Sequence, residues 1–364
     1  MFSSLPKASP LPDEIETEHA QVIIVGAGPV GLFVALKLAK AGIDILVLEA
    51  EKTVLQSLRA TTYMPIVLNE MEKLGLFEDI EKAGHKNKEG ITFRKSHAKG
   101  GEVLAQLKMA QIPKEVVQYN FAGIHLGQQT VAEIILSHCE RQKTFRIKWG
   151  HRLAGLKQSQ PNDPVIATCV GPVGERFFSC DYLVGADGAA SSVRRALCIP
   201  FEGFTWQDFR FVATNVRYDF EAYGFTKANM IVDEKDWAVI ALGKVILCGD
   251  AAHSNNPIGG LGLTTGLMDA AALGNCFLRI YQCKEPADAL LERYAHVRRE
   301  AWLNYTNPQS IEFKLRNHSN DPEIVELRNK FFDNLNNDPN MSMKMATMMN
   351  EVIEDEFALP EPKI

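Results

Sequence analysis

The stretch Gln21-Val22-Ile23-Ile24-Val25-Gly26-Ala27-Gly28-Pro29-Val30-Gly31 decides the fold. Its apolar opening has no polar alternation, which predicts a strand buried on both faces. A G-x-G-x-x-G turn follows directly. Leu32 to Gly42 then reads as a helix ended by Gly42, and Ile43 to Ala50 as a second apolar strand closing at Glu49. Strand, glycine turn, helix and strand make a β-α-β unit, so a parallel sheet is predicted. In that setting Gly26 permits the tight turn, Gly28 lets backbone approach a pyrophosphate, and Gly31 lets the helix pack on the strand. Pro29 and Val30 complete the motif, and the helix N-terminus behind them offers free N–H groups and partial positive charge to phosphate. Glu49 lies about 20 residues beyond Gly28, where an acid accepts bonds from a ribose diol.

Two more junctions downstream join a strand to an acid. Asp187-Gly188 follows Tyr182-Leu183-Val184-Gly185-Ala186 and precedes Ser191-Ser192-Val193-Arg194-Arg195. Gly249-Asp250 follows Lys244-Val245-Ile246-Leu247-Cys248 and precedes Ala251-Ala252-His253, with Pro257, Gly259, Gly260 and Gly262 beyond. A helix starting in that glycine cluster predicts a second phosphate- and flavin-cradling N-terminus. Each acid alone also reads as a helix cap.

The three motifs in this order resemble the p-hydroxybenzoate-hydroxylase-like flavoprotein monooxygenases, which include the flavoprotein aromatic hydroxylases. The resemblance implies that the first motif binds the ADP part of FAD and Glu49 the adenosine ribose. It places Arg59 and Gln128 near the cofactor and links Asp187 to both FAD and NAD(P)H. It sets Gly249 and Asp250 at the ribityl chain, and Pro257, Gly260, Gly262 and Leu263 beside the isoalloxazine. The chemistry implied is reduction of flavin by NADPH or NADH, capture of O₂ as a flavin hydroperoxide, and oxygen transfer to a small, usually phenolic, aromatic substrate. Epoxidation and decarboxylative hydroxylation use the same cofactor chemistry. No catalytic acid or base is assigned. His253 reads as ordering its loop, and His125, Tyr223 and Trp237 read equally as cavity lining or core.

The expected fold is α/β: a Rossmann-like FAD-binding domain with a parallel sheet and an antiparallel meander, an incomplete β-rich substrate domain and a helical C-terminus. We assign residues 1–19 to a flexible leader, and 20–92, 120–200 and 241–300 to the FAD-binding domain. Residues 93–119 and 201–240 are assigned to a truncated substrate domain, and 301–364 to the helical region. Residues 65–83 read as helical and Ile91 to Met109 as a hairpin around Gly100-Gly101. Residues 144–186 read as the meander, and the stretch Met341 to Met349 as helix packing. The interval from Asp187 to Asp250 is shorter than the resemblance implies, which points to a deletion near Ala241. That deletion raises an alternative, an impaired or non-catalytic FAD-binding protein or NAD(P)H oxidase.

Composition narrows the remaining classes. The net charge is −6 with no dense basic stretch, which speaks against a nucleic-acid partner. Seven scattered cysteines without a Cys-x-x-Cys pair argue for reduced thiols, no metal site and a cytoplasmic setting. No secretory signal or transmembrane segment is expected. The Asn304-Tyr305-Thr306 and Asn317-His318-Ser319 sequons read as chance matches.

Overall fold

The computed structural model describes residues 17–56, 62–108, 121–158, 160, 163–203, 219–226, 228–232, 238–241, 256, 258, 260–338 and 340–348. Strand β1 (Glu18–Val25) lies inside a six-stranded sheet that also contains β2 (Ile45–Glu49), β8 (Phe145–Trp149), β9 (Arg152–Lys157), β10 (Val165–Gly171) and β11 (Gly174–Gly185). The order is β8-β2-β1-β11-β10-β9. The first four of these run parallel, so the antiparallel meander expected over 144–186 starts only at β9: β8 pairs in parallel with β2 at the opposite end, and β9, β10 and β11 form the meander. Period-two alternation splits the core in two. Val22, Ile24, Ile45 and Val47 face the helices, whereas Ile23, Val25, Leu46 and Leu48 pack with Leu153, Ala167 and Phe178 on the opposite face.

Helices α1 (Pro29–Lys40), α4 (Gln128–Cys139) and α6 (Leu261–Tyr281) cover the first face, α1 packing against both others. Among the described residues α6 alone is long and apolar enough to cross a membrane, and the qualifying window is 78% buried inside this fold. Its composition is that of a core helix.

A second sheet has the order β13-β12-β5-β6, from β5 (Ile91–Lys95), β6 (Val103–Leu107), β12 (Ala228–Val232) and β13 (Ala238–Ala241). The predicted hairpin is β5–β6, turned through Gly100 and Gly101 at φ 91° and 65°. Helix α9 (Pro322–Asn337) covers this sheet, with the Phe331 and Phe332 rings 5.9 and 5.2 Å from Phe93. Met341 and Met345 of α10 (Met341–Met348) pack on the same cluster. A small third sheet joins β3 (Thr62–Tyr63), β7 (Ile124–His125) and β4 (His85–Lys86).

Two further readings change, and the reading of the Asn317 sequon as a chance match stands. The 65–83 segment is two helices, α2 (Pro65–Lys73) and α3 (Phe77–Ala83), because Gly75 at φ 71° turns the chain between them. The strand begins at Glu18, inside the expected leader, where Lys148 of β8 holds the Glu18 carboxylate at 2.9 Å. Asn317 is only 3% exposed, so its sequon is not a glycosylation acceptor in the folded chain. The expected strand Lys244–Asp250 lies outside the described residues.

Candidate active site at the carboxyl edge of the parallel strands

The glycines of the first motif differ in surroundings. Gly26 has φ 110°, and a Cβ there would lie 2.4 Å from the Ala186 carbonyl oxygen. A Cβ on Gly31 would lie 2.1 Å from the Gly26 carbonyl oxygen. These two permit close packing of turn, helix and the neighbouring β11. A Cβ on Gly28 would meet nothing within 4 Å. Gly28 is the N-cap of α1 and Pro29 opens the helix, with no capping side chain and no acid in the first turn. The first-turn N–H groups of α1, starting with those of Val30 and Gly31, therefore carry the positive end of the helix dipole without a side-chain cap, beside the open position over Gly28.

Glu49 closes β2 beside this turn. Its carboxylate accepts from the Ala27 N–H at 2.6 Å and from the Glu51 N–H at 2.8 Å. Both bonds fix its position and leave lone pairs for further donors.

Other elements converge on the same edge. Tyr281, at the far end of α6, donates to the Gln21 carbonyl at 3.2 Å, near the start of β1. The beginning of α6 therefore points to where β1 ends and α1 begins. There Gly260, at φ 63°, caps α6, and a Cβ on it would sit 3.7 Å from Met64 Cε. Gly262 and Leu263, both buried, form the first turn of α6. Helix α4 leads through its C-terminus toward the start of β8, so Gln128 in its first turn lies at the carboxyl edge too. Gln128 Oε1 is buried and has no hydrogen-bond partner among the described residues.

Asp187 follows β11, whose last residues pair with Val25. Its carboxylate accepts from Ser191 Oγ at 2.5 Å and from the Ser192 and Val193 N–H groups at 2.6 and 3.3 Å. It thus organises the start of α5 (Ser192–Ala196), doing the work of a helix cap.

Arg59, Gly249, Asp250 and Pro257 lie outside the described residues, as do Trp237 and His253. Tyr223 is 62% exposed, and His125 is buried on β7 with Nδ1 2.9 Å from Thr62 Oγ1. Burial pushes the thiols of Cys169, Cys180 and Cys276 up to about 12, so none of these is an activated nucleophile. Sequence reasoning missed Asn256. Its Nδ2 donates to the Ser310 carbonyl at 2.7 Å and its Oδ1 accepts from the Ile258 N–H at 3.2 Å, tying the approach to α6 to the C-terminal helices. No local pattern shows a partner so distant in the chain.

Open space over Gly28 and the Gln128 oxygen, without a partner among the described residues, both fit a dinucleotide laid along this edge. The FAD-binding domain family matches residues 19–240 and 238–306. The chain belongs to this family, as an FAD-dependent monooxygenase among the flavoprotein aromatic hydroxylases. The chain is 31% identical over 350 residues to para-nitrophenol 4-monooxygenase of Pseudomonas sp. strain WBC-3, covering 79% of this chain and 84% of that one. It is 30% identical over 368 residues to 6-hydroxy-3-succinoylpyridine 3-monooxygenase HspB of Pseudomonas putida, covering 82% and 88%. The crystal structure of p-nitrophenol 4-monooxygenase PnpA from Pseudomonas putida DLL-E4 superposes with a TM-score of 0.84 at 28% identity, covering 93% of this chain and 99% of that one.

The alignment with the nitrophenol enzyme is longer than the part of this chain it uses. The 350 aligned positions use 79% of this chain's 364 residues, about 288, so about 62 positions of the relative have no counterpart here. The two family matches meet at residues 238–240, beside the junction expected near Ala241.

Proposed function

We propose that the chain hydroxylates a small phenolic aromatic compound, consuming O₂ and NADPH or NADH, in a reducing cytoplasmic setting that suits its six free described cysteines. The balance is aromatic C–H, O₂, NAD(P)H and a proton giving aromatic C–OH, water and NAD(P)⁺. When bound, FAD supplies the redox chemistry, passing two electrons from the nicotinamide to O₂.

The chain's own residues bind and orient. The N–H groups at the start of α1, reached over Gly28, take the diphosphate, with Gly26 and Gly31 holding that turn against the sheet. Glu49, fixed by the Ala27 and Glu51 N–H groups, accepts from the adenosine ribose. The Gln128 side chain and Arg59 contact the cofactor, and Asp187 organises the loop beside it. Gly249 and Asp250 hold the ribityl chain, and Pro257 and the first turn of α6, from Gly260 to Leu263, flank the ring.

The observation that carries this reading is the uncapped, open start of α1 beside Glu49, in a chain similar to enzymes named for phenol and pyridine hydroxylation. The non-catalytic and oxidase alternatives are not favoured, since those similarities extend over 84% and 88% of the two enzymes. The test is an absorbance spectrum of the purified protein, then NAD(P)H consumption with and without a panel of phenols, products identified by mass. Bound FAD with a phenol-dependent product mass gain of one oxygen is expected. A flavin-free protein that cannot be loaded, or pyridine-nucleotide oxidation that no aromatic alters, would overturn the proposal.

A further inference from the structure

Met64 joins the short strand β3 to helix α2, and its side chain reaches the cap of α6. Tyr63 before it is buried in the main core, and Thr62 Oγ1 lies 2.9 Å from His125 Nδ1 on the neighbouring β7, which pins the strand. Met64 is extended, at φ −75° and ψ 157°, so its side chain leaves the backbone on the side opposite Tyr63. Its carbonyl accepts from the Val67 and Leu68 N–H groups at 3.0 and 3.1 Å, and Pro65 opens α2 behind it. Both features fix the point from which the side chain departs. Beyond its own chain neighbours, a Cβ built on Gly260 would meet one described atom within 4 Å, Met64 Cε at 3.7 Å. The tip of the thioether therefore borders an otherwise open position at the start of the helix whose first turn we assign to the isoalloxazine.

A thioether is polarisable and electron-rich. Like the ring carbon of a phenolate, it gives an electron pair to an electrophilic oxygen, and the product is methionine sulfoxide. The other methionines of these helices stand elsewhere. Met71 of α2 and Met268 of α6 are buried in the main core. Met341 and Met345 pack on the phenylalanine cluster of the second sheet. Met64 is half-buried and lies at the cofactor edge.

We infer that Met64 is an oxidative modification site: when no aromatic substrate is bound, its sulfur takes the oxygen atom otherwise delivered to the ring. The balance is thioether, O₂, NAD(P)H and a proton giving sulfoxide, water and NAD(P)⁺. An S–O bond forms on a sulfur lone pair and the O–O bond breaks. Sulfur and the nicotinamide each lose two electrons, and dioxygen takes all four. The inference rests on the aromatic-hydroxylase reading above, which supplies both O₂ and the nicotinamide.

The test uses the full chain loaded with FAD. The flavin is reduced under argon with one equivalent of dithionite and then exposed to air, over several cycles, with catalase present to destroy free peroxide. Dithionite makes the outcome independent of any preference between NADPH and NADH. Trypsin releases the peptide Ala60–Lys73, which carries Met64 and Met71, and fragmentation assigns an added oxygen to one or the other. Met64 should gain one oxygen, rising with the number of cycles, while Met71, Met341 and Met345 stay unmodified. Saturating 4-nitrophenol should suppress the gain several-fold, because the phenol then receives the oxygen. Unmodified Met64 after cycles in which the flavin reoxidises, or oxidation shared equally with Met341 and Met345, would overturn the inference. Hydroxylated phenol formed in the parallel samples beside an unmodified Met64 overturns the inference alone and leaves the hydroxylase reading standing. A flavin that reoxidises with neither hydroxylated phenol nor sulfoxide, or a chain that takes up no FAD, brings down both.

Discussion

Gly28 and Gly31 belong to one motif, and their surroundings give them different work. At φ −72° Gly28 has a backbone that alanine also adopts, and nothing within 4 Å opposes a Cβ there. Gly28→Ala should fold with its FAD-free melting temperature unchanged and yet retain FAD poorly, because the methyl group enters the space we assign to the diphosphate. Gly31→Ala places a methyl 2.1 Å from the Gly26 carbonyl, and overpacking of this kind costs about 1–3 kcal/mol. It should therefore destabilise the FAD-free protein. Differential scanning of both apoproteins, with flavin content measured separately, checks the pair; equal destabilisation by both would remove the distinction. Asp187 illustrates what a motif leaves open. An acid after a strand was legible as either a cofactor contact or a cap, and only the three bonds to Ser191, Ser192 and Val193 show the capping work. Asp187→Ala should then lower stability by about 0.5–2 kcal/mol even without FAD, measured by urea unfolding of the apoprotein.

At the scale of elements, the parallel strands β1 and β2 and helices α1, α4 and α6 were legible because each carries an uninterrupted apolar or amphipathic pattern, whereas β8, expected in the meander, pairs in parallel with β2. The break at Gly75 was not, since apolar residues continue on both sides of it. Nor was the pairing of α1 with α6, which depends on two positions far apart in the chain. A Cβ on Gly274 would lie 2.5 Å from Lys37 Cδ, and Lys37 Nζ donates to the Ala271 carbonyl at 3.0 Å. The two helices approach closely because one supplies no side chain and the other lays its aliphatic stem across the gap. Gly274→Ala should displace Lys37 and cost about 1–3 kcal/mol. In a double-mutant cycle Lys37→Ala should absorb much of that cost, since it removes the atoms the new methyl meets. Additive effects would show that the contact does not couple the helices.

At the scale of the whole molecule, the second sheet was legible only in part. Aromatic and β-branched composition marks its strands, but the parallel pairing of β12 with β5 joins residues more than a hundred positions apart, which no local pattern encodes. The interval between Asp187 and Asp250 was legible as short, and the alignment leaves about 62 positions of para-nitrophenol 4-monooxygenase without a counterpart in this chain. Among the described residues, α8 (Asn307–His318) and the turn before it contact both sides, through Asn256–Ser310 and Thr265–Thr306 toward α6 and through Asn317–Met230 toward β12, while the Phe93, Phe331 and Phe332 cluster packs α9 on the second sheet. The cofactor elements sit at one edge of this assembly and the phenylalanine cluster at another. Removing FAD withdraws a ligand that stabilises by mass action, about 3 kcal/mol at a hundredfold excess over Kd. The loss should be unevenly distributed. Hydrogen exchange should quicken at Gly26–Gly31, at the start of α4 around Gln128 and at Gly260–Leu263, while β5, β6 and α9 keep their protection because their core contains none of the cofactor elements. Readdition of FAD should restore the slow exchange at the first three sites alone. Uniform deprotection of both sheets on deflavination would mean that the second sheet depends on the cofactor for its stability, and that the α8 bridge transmits far more than its few hydrogen bonds imply.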